Sequence, residues 1–209
     1  MSHPLIPKAA LCAGMICLAF GVSAQTSGSS TGATGTATPK MGATTGAHDA
    51  ATAKLAGADK TFVEKAAVGG MAEVQLGNLA QQKAASDQVK QFAARMVTDH
   101  TKANDELKRI ASTKGVQLPS SLDKKHQSDM DRLQKMSGAD FDKAYMSHMV
   151  DDHKQDVAEF KKEASSGHDS DVKSFASKTL PTLEEHLKMA QSTNDAVKKG
   201  GSAKTASLK

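Results

Sequence analysis

From Phe62 to Ala190 apolar residues recur at steps of three and four, and no stretch alternates. That period keeps one face of an α-helix against a core; a strand would need alternation at every residue. The first stripe runs Phe62, Ala66, Gly69, Glu73, Leu76, Ala80, with Asp59 placed as its N-cap. Ala and Gly on that seam let a neighbouring helix come close. The second stripe is Val89, Ala93, Met96, His100, Ala103, Leu107, Ile110, behind Ser86 or Asp87 and ending near Gly115. A shorter amphipathic piece follows the turn at Leu118-Pro119, with Leu122, Met130, Leu133 and Met136 as its apolar positions. Ser137 and Asp140, spaced like a capping box, open the third stripe: Phe141, Tyr145, Met149, His153, Asp156, Phe160. The fourth starts near Asp169-Ser170 and carries Val172, Phe175, Leu183, His186, Leu187 and Ala190. Pro181 lies inside it and is expected to bend or break that helix. Aromatic residues make up 3% of the chain, too few for a β-sandwich or barrel. The expectation is an all-α fold: an up-down-up-down four-helix bundle with a short extra helix between helices 2 and 3.

The flanks read differently. Residues 1–24 have a basic start at Lys8, an apolar stretch from Ala9 to Val22 and the small residues Val22-Ser23-Ala24. This is the pattern of a secretory signal peptide cleaved near Ala24. The apolar stretch is short of the roughly 20 residues that span a bilayer, so a retained anchor is the lesser alternative. Neither Cys12 nor Cys17 follows a lipobox, and both leave with the signal. A periplasmic or secreted chain without cysteine relies on packing rather than disulfides. Residues 25–57 are almost wholly Ser, Thr, Gly and Ala and read as a disordered linker; residues 198–209 read as a disordered basic tail. The folded domain is expected over 58–197.

Four polar residues interrupt the stripes, one in each long helix: Glu73, His100, His153 and His186. Glu73 lies 13 residues before the turn at Ser86 and His100 lies 14 after it; His153 lies 14 before Gly167 and His186 lies 19 after it. In an up-down-up-down order both hairpins share one end, so at 1.5 Å per residue the four fall at similar depth. Buried unpaired they would be costly, so they must satisfy one another, bind water or hold a cation. One carboxylate with three imidazoles suits a divalent first-row ion such as Fe or Zn. Asp99, Asp152 and Glu185 each precede one of these histidines, and Asn104 and Asp156 sit one turn along. All five are candidates to orient the imidazoles. His126 and His168 read as surface or turn residues, and His148 lies off the face of His153. Met71, Met96, Met146, Met149 and Met189 read as gap fillers. Within the folded domain expected over 58–197 no GxSxG, P-loop, GxGxxG or HExxH motif is present. No nucleic acid is expected as a partner, because the lysines interleave with acids and aromatics are scarce, despite the net charge of +4. The lysines of the tail offer a weak attraction to anionic envelope surfaces. Homo-oligomerisation is left open.

With these residues in view, the chain resembles the exported bacterial family catalogued as domain of unknown function 4142, of the ferritin-like superfamily. The resemblance rests on Phe62–Gly77, Met96–His100, Phe141–His153 and Leu180–Leu187 and covers about 60–197. It implies a ferritin-like bundle in the cell envelope and no particular activity. Iron-binding ferritin-like proteins carry Glu-x-x-His pairs, whereas here Val97 and Leu183 stand three residues before His100 and His186. A carboxylate-bridged di-iron site is therefore not expected. Two functions remain open. The sequence favours a non-catalytic, stress-associated or interaction protein whose buried Glu and His form a polar network. The alternative is a metal-binding or redox-linked protein using Glu73, His100, His153 and His186. No nucleophile stands beside a base, which disfavours hydrolysis, and whether the chain is an enzyme stays open, leaning against it.

Overall fold

A computed structural model of the chain describes Leu55 and residues 57–206, with side chains as far as Gly200. The chain divides into two units, Met1–Ala47 and His48–Lys209, and all the described residues belong to the second. The expected signal peptide, and the linker but for Leu55 and Gly57, lie outside the described residues. Five helices follow in order: α1 Gly57–Lys83, α2 Asp87–Thr113, α3 Lys124–Gln134, α4 Gly138–Ser166 and α5 Ser170–Ala206. There is no strand among the described residues. The fold is an all-α bundle with a short extra helix between its second and third long helices.

The order of the helices differs from the expected one. Helices α1 and α4 are antiparallel: Phe62 packs edge-on against Phe160 at 4.9 Å, Lys65 bonds Glu159 at 3.1 Å, and Glu73 lies beside His153. Helices α2 and α5 are antiparallel too, since Arg95 meets Glu185 and, at the other end, Lys114 meets Asp169 at 2.8 Å. The long helices therefore run up, down, down, up. The segment holding α3 carries the chain back along the bundle, so it is a crossover and not a hairpin. Its physical effect is that packed neighbours are antiparallel on every side, while the parallel pair α2 and α4 need not pack.

Two buried carboxylates fix this arrangement, one at each end. Asp142, the fifth residue of α4, accepts the backbone N–H groups of Ala85 and Ser86 at 3.1 and 2.9 Å, where α1 turns into α2. At the opposite end Asp59, in the first turn of α1, accepts from the backbone of His168 at 3.2 Å and Asp169 at 2.7 Å, where α4 turns into α5. Asp59 is thus not the N-cap of its own helix; its carboxylate serves another hairpin. Each bond meets orphan donors at a helix start, where a negative charge is also favoured by the helix dipole.

The close approach of α1 and α2 falls one residue away from the expected seam. A Cβ added at Gly69 would meet nothing within 4 Å, whereas one at Gly77 would meet Val97 Cγ2 at 2.7 Å and one at Gly70 would meet the Asn104 side chain. Helix α5 is continuous through Pro181, which is exposed, so the carbonyl it leaves unbonded can reach water. The helix also runs on past Lys198 to Ala206, where the sequence reading ended the fold; Ala and Lys are good helix formers and the two glycines do not stop it.

The core comes in two apolar clusters. One gathers Leu76, Phe92, Met96, Phe141, Tyr145, Met149 and Ala190 near the α1–α2 turn. The other gathers Phe62, Leu107, Phe160, Val172, Phe175 and Leu183 near the α4–α5 turn. In every long helix the break between them falls at the polar position, 73, 100, 153 or 186. Replacing Asp142 by Ala orphans two backbone donors that it holds now. It should cost about 1–3 kcal/mol in urea unfolding with the slope unchanged; an unaltered midpoint would contradict the role given to this carboxylate.

Candidate metal centre

The layer between the two clusters is built from one turn of each long helix. His100 on α2, His153 on α4 and His186 on α5 follow Met96, Met149 and Leu183 by one turn on the same inward faces. They are 6%, 0% and 1% exposed. Their ring centroids stand 5.7, 5.4 and 5.4 Å apart. One ring nitrogen from each lies within 4.8 Å of the other two.

The hydrogen bonds decide which nitrogens are left bare. His153 Nδ1 donates to the carbonyl of Met149 at 2.9 Å, so this nitrogen carries the proton. His186 Nε2 donates to Asp99 Oδ2 at 2.9 Å, across from α5 to α2. The remaining nitrogens, His153 Nε2 and His186 Nδ1, are buried lone pairs without a partner, and His100 Nε2 is buried and unpartnered as well. A carbonyl or carboxylate on the far side of an imidazole is the arrangement that fixes the tautomer of a metal-binding histidine. Burial holds all three rings neutral. It pushes His153 down to about 4 and His100 well below the usual histidine value, and the other imidazoles add to both shifts. Burial also lowers His186, against the pull of Asp99. Neutral imidazole is the form that binds a cation.

Glu73 is brought into the layer but not into the triangle. Its Oε1 lies 3.8 Å from His153 Nδ1, the nitrogen already bonded to Met149, so it stands behind that ring. Glu73 is 0% exposed, and neither oxygen has a hydrogen-bond partner. Burial, reinforced by the charges of Asp152 and Asp156, holds its carboxyl well above the usual range. The proposed orienting residues divide. Asp99 holds His186 and is itself held by Arg95, whose other arm reaches Glu185 at 3.2 Å. Glu185 therefore touches the arginine and no histidine. Asn104 packs against Gly70, while Asp152 and Asp156 line a cavity between α1, α3 and α4.

Some contributors were hidden from sequence reading. The Met149 carbonyl is one, although a residue four positions before His153 on a helix is the natural acceptor for its ring. The hydroxyl of Tyr145 is another: it is buried and unpartnered, and burial and Glu73 raise its pKa well above the usual value. His148 is half-buried with an unpartnered Nε2 but stands outside the triangle.

A family model described as Domain of unknown function (DUF4142) matches residues 44–193. Among solved structures, a DUF305 fragment from Deinococcus radiodurans superposes with a TM-score of 0.61 at 10% identity, covering 68% of this chain and 99% of that one. A DUF305 protein from Streptomyces coelicolor superposes with a TM-score of 0.55 at 13% identity, covering 64% and 88%. At such identities the likeness concerns the fold. No curated protein matches the chain.

Glu73 gives a pH-dependent prediction. Its pKa is raised in the folded protein, so the stability it contributes is present below about 4.5 and is lost as pH rises towards the folded value. In metal-free protein, Glu73→Gln should gain stability relative to the wild type in melts taken from pH 4 to pH 8. A difference that stays flat or shrinks across that range would show that Glu73 ionises freely.

Proposed function

The chain belongs to the DUF4142 family, and we propose that its bundle holds one divalent first-row metal ion between His100, His153 and His186. A single observation carries this reading: three buried imidazoles each bring a ring nitrogen within 4.8 Å of the other two, and each ring has a buried nitrogen without a hydrogen-bond partner. The polar-network reading asks the imidazoles to satisfy one another, yet among the described residues no hydrogen bond joins any two of them. A cation is attracted by all three lone pairs at once.

Three imidazoles leave at least one coordination position open, and this donor set suits Zn²⁺ or Fe²⁺. Such an ion supplies Lewis acidity or one-electron chemistry. The residues around it do simpler things: Met149 and Asp99 hold two rings in register, and the apolar clusters above and below keep water out. With Val97 and Leu183 in place of glutamates, the set supports one ion rather than a bridged pair. We place the protein in the periplasm or outside the cell, directed there by residues 1–24, with residues 25–57 as a tether to the bundle. No helix among the described residues is long and apolar enough to cross a membrane. In this reading it holds metal and is not an enzyme.

Full-length protein purified without an affinity tag should contain about one first-row ion per chain, by analogy with three-ligand protein sites. His100→Ala and His153→Ala should lose it and His148→Ala should keep it. Chelation should lower the Tm, because free ion at 100 times its Kd stabilises by about 2.7 kcal/mol. Metal-free protein with a Tm indifferent to chelator and to added Zn²⁺ would leave the polar network as the better account. Asp99→Asn should weaken metal affinity by about 10–100-fold, measured by competition with a chromophoric chelator; an unchanged affinity would remove Asp99 from the site.

A further inference from the structure

The three imidazoles differ in what stands behind them. His153 gives its Nδ1 proton to a neutral group, the carbonyl of Met149. Glu73, 3.8 Å from the same nitrogen, is too far to accept it. Of the three rings only His186 donates to a charged acceptor among the described residues, from Nε2 to Asp99 Oδ2 at 2.9 Å. That oxygen is not left to the histidine alone. Arg95, one turn before Asp99 on α2, donates from Nε to the same Oδ2. Its Nη2 reaches Glu185, the residue before His186 on α5, at 3.2 Å. Two donors therefore compete for one carboxylate oxygen. An ionised carboxylate behind an imidazole makes the ring a stronger metal donor, because it pulls on one N–H and sends electron density to the opposite nitrogen. A guanidinium on the same oxygen draws part of that density away. The opposite nitrogen here, His186 Nδ1, is the buried one without a partner.

We propose that Arg95 is a positioning residue that weakens the hold of His186 on the metal ion, by sharing the Asp99 oxygen that backs the ring; this rests on the metal-holding reading above. The other two rings offer no such handle, since a backbone carbonyl carries no charge for a neighbour to neutralise. Arg95 thus sets how readily the centre gives up its ion. It does so from the bundle surface, where its side chain is 45% exposed against 1% for His186. An arginine that only held Asp99 in place would have the opposite effect. Its removal would loosen the carboxylate, free the ring to turn and weaken binding. The sign of the change in affinity separates the two roles.

The test is the affinity of full-length protein for Zn²⁺, measured by competition with a chromophoric chelator, together with the visible absorption of the Co²⁺-loaded form. Arg95→Met should bind Zn²⁺ about three- to tenfold more tightly than the wild type, a smaller change than the loss of a whole outer partner brings. Arg95→Lys keeps a charge one turn from Asp99 and should stay within about twofold of the wild type. In an Asp99→Asn background the gain from Arg95→Met should vanish, because the effect passes through that carboxylate. The Co²⁺ absorption of Arg95→Met should keep the wild-type band shape, the three donors being the same. Circular dichroism checks the helices, and Arg95→Gln takes the place of Arg95→Met if the latter does not fold. Unchanged or weaker binding by Arg95→Met overturns the proposal and leaves the three-histidine centre standing. A gain that persists without the Asp99 carboxylate, or that Arg95→Lys shows in full, also overturns it, as does a changed band shape. If the wild type binds neither Zn²⁺ nor Co²⁺, the metal reading fails and the role of Arg95 goes with it.

Discussion

A polar atom buried without a partner costs about 1–3 kcal/mol, and this bundle sets several of them side by side at its middle. That cost shapes the rest of the molecule. The histidine layer divides the apolar core in two, so neither cluster can draw on the other for its packing. Each half is closed instead by its own buried carboxylate, Asp142 at one end and Asp59 at the other. The two bonds have the same form: an acid near the start of one helix receives the N–H groups of the turn in the opposite hairpin. The ends are pinned and the histidine layer sits between them.

The layer's own chemistry follows from where each ring nitrogen finds a partner. The carbonyl of Met149 takes one proton and the carboxylate of Asp99 takes another, and both lie away from the centre. One buried nitrogen of each ring is left bare. Burial keeps the rings neutral, so their lone pairs are not spent on protons. Glu73 was expected to join this set and instead stands behind His153, in the company of Asp152 and Asp156. A carboxylate there faces other acids rather than the triangle, which is why burial and neighbouring charge both raise its pKa. The acids of the molecule thus fall into two groups. Those with basic or backbone partners cap and staple; Glu73, buried beside Asp152 and Asp156, does neither.

Much of the site was legible as departures from a helical period. Glu73, His100, His153 and His186 all interrupt apolar stripes, and all four are buried. Their common depth was argued from an up-down-up-down order that the fold does not have. The four share a layer all the same, because each is near the middle of a helix of 27 residues or more, and a midpoint is equally far from either end. Helix direction, by contrast, left no mark in the periodicity. The α3 segment reads as a loop with a short amphipathic piece whether it turns back at once or crosses the whole bundle. The seam of α1 was misplaced by one residue for a related reason: its small residues fill Gly69 and Gly70 alike, and only packing against α2 selects the second.

By itself the sequence determined the all-helical class, the number of helices and the set of polar residues turned inward. Each of these is a local property, set by the 3.6-residue period and by which side chains interrupt it. What only the tertiary structure decided is relational. It gave the direction of α4, the remote hairpins served by Asp59 and Asp142, the exclusion of Glu73 from the triangle and the bare nitrogen of each ring. A histidine's free lone pair depends on which acceptor lies across from its other nitrogen, and for His186 that acceptor is 87 residues away along the chain.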